Sequence, residues 1–294
     1  MRPHVVLIAT LLLNAGLFAL NLSVAVISGS RTILSEAIYS VTDLIGSAFL
    51  LFGLYLSRRP PDYEHPFGFG KERFFWAFIS IVVTFTTSGI IALVTGIDQA
   101  VAPHPVSHLG EGLVVLGATF LVSLVGIWVT LRELRLARET LEALLESAQQ
   151  GLKSVFYQDL VTLVGTVVAF AGLFLVYRTH NYALDGVTAA LEGFLLVSTG
   201  FVLTAESRHY LVGRALAPEV ALAMLGVVER DPRVRRVRSA QSMLLGPDDA
   251  LLALRVNFQD GLTTDQLEAA VDQVTLDLRT AFPILRHIII EPES

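Results

Sequence analysis

Long uncharged stretches dominate the first two thirds of the chain. Four of them contain no Asp, Glu, Lys or Arg: 5–30, 74–97, 113–131 and 160–177. At about 1.5 Å of rise per residue, each is long enough, or nearly so, to cross a hydrocarbon core of roughly 30 Å as a helix. The pattern therefore predicts four membrane-spanning helices.

Two further apolar stretches carry acidic residues inside them. One covers about 32–57 and the other about 184–211. None of these stretches alternates between apolar and polar positions, as the strands of a membrane β-barrel would. The chain is therefore predicted to be an α-helical membrane protein with six transmembrane helices.

The amino-acid composition also favours a membrane protein. Hydrophobic residues make up 53% of the 294 residues and charged residues 16%, whereas a soluble domain carries roughly 25% charged residues. The chain has no cysteine, which excludes disulfides, thiolate metal ligands and cysteine nucleophiles. Its net charge of -6 argues against nucleic acid as a partner, because nucleic-acid-binding domains are generally basic.

Basic residues are distributed unevenly between the two sides of the predicted membrane. Eleven Lys and Arg residues flank the chain start, the second and fourth loops and the end of the sixth span, whereas the opposite side has only Arg31 and Arg178. Loops rich in Lys and Arg stay in the cytoplasm. We therefore expect a multi-pass protein with both termini cytoplasmic, located in a bacterial inner membrane.

The composition changes after about Gly213, where charged residues become frequent. Pro218 suits the first turn of a helix and Thr263 suits an N-cap. The predicted elements are a helix at 218–230, strands at 234–245 and 250–258, a helix at 263–281 and a strand at 285–291. This αββαβ order predicts a small α+β, ferredoxin-like domain. The expected domains are therefore 1–213 in the membrane and 214–294 in the cytoplasm.

Several polar residues inside the predicted spans share helix faces. Glu36, Tyr39 and Asp43 are spaced at i, i+3 and i+7 on the second span, and Asp159 begins a polar stripe on the fifth. A charge at mid-bilayer costs roughly 2.5–3.5 kcal/mol on insertion scales, so such residues usually mark a site. We interpret Asp43 and Asp159 as functional, because neither has a Lys or Arg four residues away to pair with.

The other intramembrane polar residues allow structural interpretations. Asn14 and Asn21 suit hydrogen bonds between helices. Asp185 suits a helix N-terminus, where the helix dipole stabilises an acid, although a role at the outer mouth stays open. For Glu36 and Glu192 the structural and functional interpretations are both open. If the acids do converge from two helices, their oxygens suit a divalent cation, and the same carboxylates can carry protons when the metal leaves.

Four short motifs resemble those of the cation diffusion facilitator family of divalent-metal/proton antiporters. The most specific is Pro60–Glu72, with its acid, His-Pro-Phe-Gly and Gly-Lys-Glu elements in register. Ser35–Asp43 resembles the second-span metal motif, and Gln158–Leu160 resembles the branch with a Glu-Asp pair on the fifth span. Asp185–Gly186 matches the start of the sixth span.

The resemblance covers essentially the whole chain and implies a function. Members of the family are secondary transporters that export a divalent cation in exchange for protons, most commonly Zn²⁺. The resemblance also implies pairing of the C-terminal domains, and hence a homodimer in membrane lipid. It implies no cofactor, because the metal ion is the substrate.

The chain departs from the family pattern at the transport site. The family's ligand positions on the second and fifth spans correspond here to Tyr39, Asp43, Val155 and Asp159. Of these, Asp43 and Asp159 are of the usual ligand type, while Glu36 and Gln158 are near enough in sequence to substitute for the others. Such an all-oxygen site would favour a harder ion such as Mn²⁺, Mg²⁺ or Fe²⁺, or would bind Zn²⁺ weakly.

The family's other metal sites are also reduced. In the loop, Asp62 and His65 remain as a weak metal site, but a later His is replaced by Phe69. Since two ligands seldom hold zinc, we favour a structural role for this pair. The C-terminal segment has one His, His287, with Glu291 on the same apparent strand face, so we expect it to dimerise without metal.

Two other function classes compete with transport. Tyr39 and Val155 favour a non-transporting membrane scaffold or regulator whose metal site has decayed. An enzyme is not expected, because the spans contain no Ser-His pair, His-Glu-x-x-His motif or catalytic Asp pair. The sequence has no Walker-type loop either, so ATP-driven transport by this chain is excluded.

Overall fold

A computed structural model describes residues 3–106, 109–136 and 150–293 of the chain. Long helices fill its first two thirds: α1 (Pro3–Ser28), α2 (Arg31–Leu56), α3 (Glu72–Val101), α4 (Leu109–Leu136), α5 (Gln150–Thr179) and α6 (Ala183–Val212). Helix α3 contains one π-helical turn, at Val82–Thr87. These helices lie where the uncharged and acid-interrupted stretches predicted them.

Five helices among the described residues, α2 to α6, are long and apolar enough to cross a membrane. Helix α1 contributes a shorter apolar stretch, Asn14–Ser28. Large apolar side chains such as Val26, Phe194 and Phe201 are exposed on the helix surfaces, as lipid-facing residues would be. The structure thus supports a multi-helix membrane domain, and the count of six spans remains a prediction.

Asp185, in the first turn of α6, binds the N-terminus of α2. Its carboxylate accepts hydrogen bonds from the Ser30 hydroxyl at 2.8 Å and from the backbone N–H groups of Arg31 and Thr32 at 2.8 and 3.3 Å. The first N–H groups of a helix lack internal partners and carry a partial positive charge. Asp185 therefore acts as a helix N-terminal acid, as predicted, and the structure adds that it serves α2 as well as its own helix.

Glycines bring the backbones of α3 and α6 into direct contact. Gly89 on α3 faces Gly193 on α6, and Gly96 on α3 faces Gly186 on α6. In each helix the two glycines are seven residues apart. A Cβ atom on Gly186 would lie 2.3 Å from the backbone nitrogen of Ala100, so a larger residue would push the helices apart. Such small-residue seams are a common way to pack membrane helices.

The π-helical turn of α3 lies against α2 beside Asp43. The Thr84 hydroxyl donates to the carbonyl oxygen of Thr42 at 3.2 Å. Gly46 makes room for this contact, because a Cβ atom there would collide with the Thr84 hydroxyl oxygen. The sequence analysis did not predict this turn, and π-helical turns often occur at functional sites.

The C-terminal domain has the predicted αββαβ order. Its elements are α7 (Pro218–Val228), β1 (Val234–Gly246), β2 (Asp249–Phe258), α8 (Thr264–Ala281) and β3 (Leu285–Glu293). Strand β2 is central, antiparallel to β1 and parallel to β3. Thr263 caps α8 as predicted, and the Gln266 side chain completes a capping box by accepting from the Thr263 backbone N–H at 2.9 Å.

A hydrophobic core lies between the sheet and the two helices of this domain. Alternate residues of β2, including Leu252 and Leu254, are buried together with Met224 of α7 and Leu278 of α8. Helices α7 and α8 contact each other, so they cover the same face of the sheet. This is the α+β arrangement expected from the sequence.

The described chain forms two compact units. One lies within Met1–Arg58 and Glu72–Arg208, and the other comprises Arg59–Lys71 together with the residues from His209 onward. The 59–71 loop therefore belongs with the C-terminal unit, although it lies between two membrane helices in sequence. Gly70 of this loop approaches β1 so closely that a Cβ atom would lie 2.5 Å from the carbonyl oxygen of Leu245.

Candidate metal site in the membrane domain

The structure places Asp43 of α2 and Asp159 of α5 within electrostatic range of each other. Asp43 is 7% exposed, and the carboxylates of the two residues are close enough to interact electrostatically. The i, i+3, i+7 spacing on α2 places Glu36, Tyr39 and Asp43 on the buried face of that helix. The two acids that the sequence singled out thus meet from different helices.

Asp43 is held by the first helix but keeps one oxygen unpaired. The Asn14 side-chain amide of α1 donates to Oδ2 of Asp43. The other carboxylate oxygen, Oδ1, is buried and has no hydrogen-bond partner within the described residues. Asn21 of α1 also donates across to α2, to the Ser40 hydroxyl at 3.1 Å. Both asparagines form the interhelical bonds that the sequence predicted.

Asp159 packs against a glycine that sequence reasoning missed. A Cβ atom on Gly126 of α4 would lie 2.5 Å from Oδ2 of Asp159 and 2.7 Å from its Cγ. That same Oδ2 atom is buried and makes no hydrogen bond among the residues described. Gly126 therefore provides the space that the Asp159 carboxylate occupies. One glycine inside an uncharged span carries no sequence signal that distinguishes it from its neighbours.

Tyr39 occupies the centre of the acidic residues. It lies within electrostatic range of Asp43, Asp159 and Glu36, and its side chain hydrogen-bonds Thr162 of α5. Tyr39 is buried, and its ring packs near that of Phe85 with a centroid separation of 6.4 Å. Tyr39 thus lies where the family pattern has a metal ligand, and it links α2 to α5.

Glu36 lies beside another acid, on the sixth helix. Its side chain hydrogen-bonds Thr166 of α5, and it interacts electrostatically with Glu192 of α6. Seven residues separate Glu36 from Asp43, which corresponds to about 10 Å along the helix. The structure groups Glu36 with Glu192 rather than with the two aspartates.

Two predicted positions on α5 are described by their backbone alone. Gln158 and Val155 lie in the helix, and their side chains are outside the described part of the structure. The role of Gln158 as a ligand therefore remains a prediction. Within the ranges that the structure describes, no three His, Asp or Glu side chains lie close enough together to hold a metal ion. Among the described residues, the further ligands on offer to an ion are hydroxyl and amide oxygens, together with water.

The Asp62–His65 pair forms a turn in the 59–71 loop. The His65 backbone N–H donates to Oδ1 of Asp62 at 2.7 Å, and the His65 Nδ1 lies 3.1 Å from the same oxygen. The backbone hydrogen bond from His65, strengthened by its side chain, holds the pKa of Asp62 below its usual value. Phe69 packs its ring 4.3 Å from that of His65. This geometry supports the structural interpretation of the pair.

The two C-terminal candidates pair with separate residues. Nε2 of His287 lies 3.7 Å from Oδ2 of Asp249, and Glu291 accepts a hydrogen bond from Arg255 at 2.9 Å. The ring of Phe67, from the 59–71 loop, packs edge-on against His287 at 5.2 Å. Their partners thus give His287 and Glu291 structural roles.

Comparisons with known proteins agree on one family. Residues 7–212 match the model of the cation efflux transmembrane domain. The chain is 28% identical to metal tolerance protein C4 of Arabidopsis thaliana over 83% of its own length and 55% of that protein. It is 25% identical to the mitochondrial proton-coupled zinc antiporter SLC30A9 of Xenopus laevis, over 89% of this chain and 48% of the relative.

A bacterial relative is covered more completely. The chain is 25% identical to the cation-efflux pump FieF of Klebsiella pneumoniae (strain 342), over 87% of its own length and 81% of the pump. By contrast, it spans about half the length of the plant and frog relatives. The matched region includes every membrane helix that carries a candidate ligand.

Proposed function

The chain belongs to the cation efflux family, and we propose that it is a secondary transporter that exports a divalent metal cation in exchange for protons. The observation that carries the proposal is the meeting of Asp43 and Asp159, each with a buried and unpaired carboxylate oxygen. Buried acids normally pair with a base, a hydrogen-bond donor or a metal. The test is metal-stimulated proton flux in proteoliposomes that contain the purified protein.

The ligand chemistry supports a divalent ion without selecting one strongly. Carboxylate oxygens and the Tyr39 phenol are oxygen donors, which suit Mn²⁺ and other hard ions, whereas Zn²⁺ prefers imidazole or thiolate. A proton-coupled zinc antiporter nevertheless stands among the relatives. We therefore propose Zn²⁺ first, with Mn²⁺ or Fe²⁺ as alternatives.

A second candidate function is that of a non-transporting scaffold or regulator. Its support is Tyr39, which stands at a ligand position but is already hydrogen-bonded to Thr162 and packed near Phe85. The same proteoliposome assay separates the two functions, since a scaffold would give no metal-stimulated proton flux.

We expect transport to fall steeply when the pH on the cytoplasmic side becomes acidic. Protons compete with the metal for Asp43 and Asp159, and a protonated carboxyl is a poor metal ligand. The measurement is initial metal flux against pH in proteoliposomes of known orientation. A rate that stays flat from about pH 5 to 8 would mean that these carboxylates do not carry the exchanged protons.

We expect the double substitution Tyr39→His and Val155→His to raise the preference for Zn²⁺ over Mn²⁺. Two imidazoles would join two carboxylates in a tetrahedral set, the geometry that zinc favours. Competitive uptake of the two ions by wild type and double variant measures the change, expected to be about tenfold. A wild type that already excludes Mn²⁺ while moving Zn²⁺ well would show that the oxygen-site argument is wrong.

We expect the protein to work as a homodimer in membrane lipid, with both termini cytoplasmic. A C-terminal domain of this size gains little stability from its own core, and pairing would add to it. Cross-linking in membranes and in mild detergent measures the association. Finding monomers alone under both conditions would contradict this expectation.

A further inference from the structure

A pocket beside Tyr39 contains a second pair of buried carboxylates. The pocket has a cavity volume of about 20 Å³, room for about one water-sized ligand, and Glu36 of α2 and Glu192 of α6 line it. Ser35, Tyr39 and Thr162 contribute hydroxyl groups to its wall. We call this the Glu36–Glu192 pocket. It lies on the side of Tyr39 that faces the N-terminus of α2.

Glu192 presents an unpaired oxygen to this pocket. The residue is 5% exposed, and its Oε1 atom is buried with no hydrogen-bond partner in the described ranges. The charged side chains that interact electrostatically with Glu192 are Glu36 and Asp185, and both are acidic. The Asp185 carboxylate is already hydrogen-bonded to the Ser30 hydroxyl and the Arg31 backbone N–H at the N-terminus of α2. Two buried acids that interact without a basic partner are costly unless one takes up a proton or a cation lies between them.

The donors in the pocket match a hard divalent cation. Two carboxylates supply charge, and the Ser35 and Thr162 oxygens can complete the coordination together with water. A hard ion such as Mg²⁺ commonly binds through one or two carboxylates and completes its shell with other oxygens, including water. The rest of the wall is apolar, which lowers the local dielectric constant and strengthens the attraction between the acids and an ion.

We propose that the Glu36–Glu192 pocket is a second divalent-cation site, separate from the Asp43–Asp159 site. This proposal rests on the proposed transport function. The seven residues between Glu36 and Asp43 place the two sites about 10 Å apart along α2. With the termini in the cytoplasm, the pocket is nearer the opposite side of the membrane. An exported ion would therefore reach it after Asp43 and Asp159, passing Tyr39 between the two sites.

The test counts ions bound to the full chain in lipid nanodiscs, with Mn²⁺ and Zn²⁺ as probes. We expect Glu192→Gln to bind one ion fewer per chain than wild type, and Asp159→Asn also one fewer. The double variant should lose both ions. The control is Glu206→Gln, the same chemical change on the same helix but outside the pocket, which should bind as many ions as wild type.

The proposal would be overturned if wild type and Glu192→Gln bound the same number of Mn²⁺ ions per chain and the same number of Zn²⁺ ions per chain. If Glu192→Gln fails to fold, Glu36→Gln gives the same comparison. A measurement on the wild type needs no variant: two Mn²⁺ ions about 10 Å apart broaden each other's electron paramagnetic resonance lines. Absence of that broadening at saturation would also overturn the proposal. Because these are binding measurements, they stay separate from the flux assay, whose failure would overturn transport instead.

Discussion

Asp43→Asn and Asp159→Asn should each abolish metal-dependent flux while the protein still folds and inserts. Each change removes a negative charge from the site with little change in shape. Losing one partner of a buried charged contact costs about 3–5 kcal/mol, which corresponds to a loss of more than about a hundredfold. The measurement is the initial rate of metal uptake into proteoliposomes at matched protein density.

A matched control is available on α3. Asp98 is an exposed acid near the end of that helix, and Asp98→Asn makes the same chemical change away from the site. We expect this variant to transport at the wild-type rate. If Asp43→Asn or Asp159→Asn also transports at the wild-type rate, the central site is misplaced.

Gly126→Ala should reduce transport although it adds one methyl group and changes no charge. The new Cβ atom would lie 2.5 Å from Oδ2 of Asp159, so the carboxylate must move away from its present position. A ligand displaced by about 1 Å no longer holds its ion in the right geometry. We expect flux and metal affinity to fall about tenfold or more, a range typical for lost support of a metal ligand.

Gly117→Ala is the matched control for this substitution. Gly117 lies on the same helix, α4, and a Cβ atom there would meet no other atom within 4 Å. Its flux should equal that of wild type, and both variants should retain wild-type size-exclusion profiles. Equal flux in Gly126→Ala and Gly117→Ala would show that the position of the Asp159 carboxylate does not matter for transport.

Local patterns in the sequence were enough to predict the helices and strands of this protein, apart from the π-helical turn in α3. The absence of charge over 160–177 predicted a long helix there. In lipid, the backbone N–H and C=O groups have no water to bond, so they must hydrogen-bond within the segment. The order of the C-terminal elements followed from turn and cap residues such as Pro218 and Thr263. Spacing along α2 predicted that Glu36, Tyr39 and Asp43 share one buried face. All of these features depend on neighbours in the chain.

The tertiary structure decided which groups meet. Periodicity along one helix does not specify its rotation against another, so the sequence could not show that Glu36 lies within electrostatic range of Glu192. For the same reason, sequence could not reveal that Gly126 makes room for Asp159, or that the 59–71 loop packs with the C-terminal domain. The acids in the spans were visible from sequence, because a charge in lipid is rare and costly. Their division into two pairs depends on how α2, α5 and α6 pack, and that is a property of contacts between residues distant in sequence.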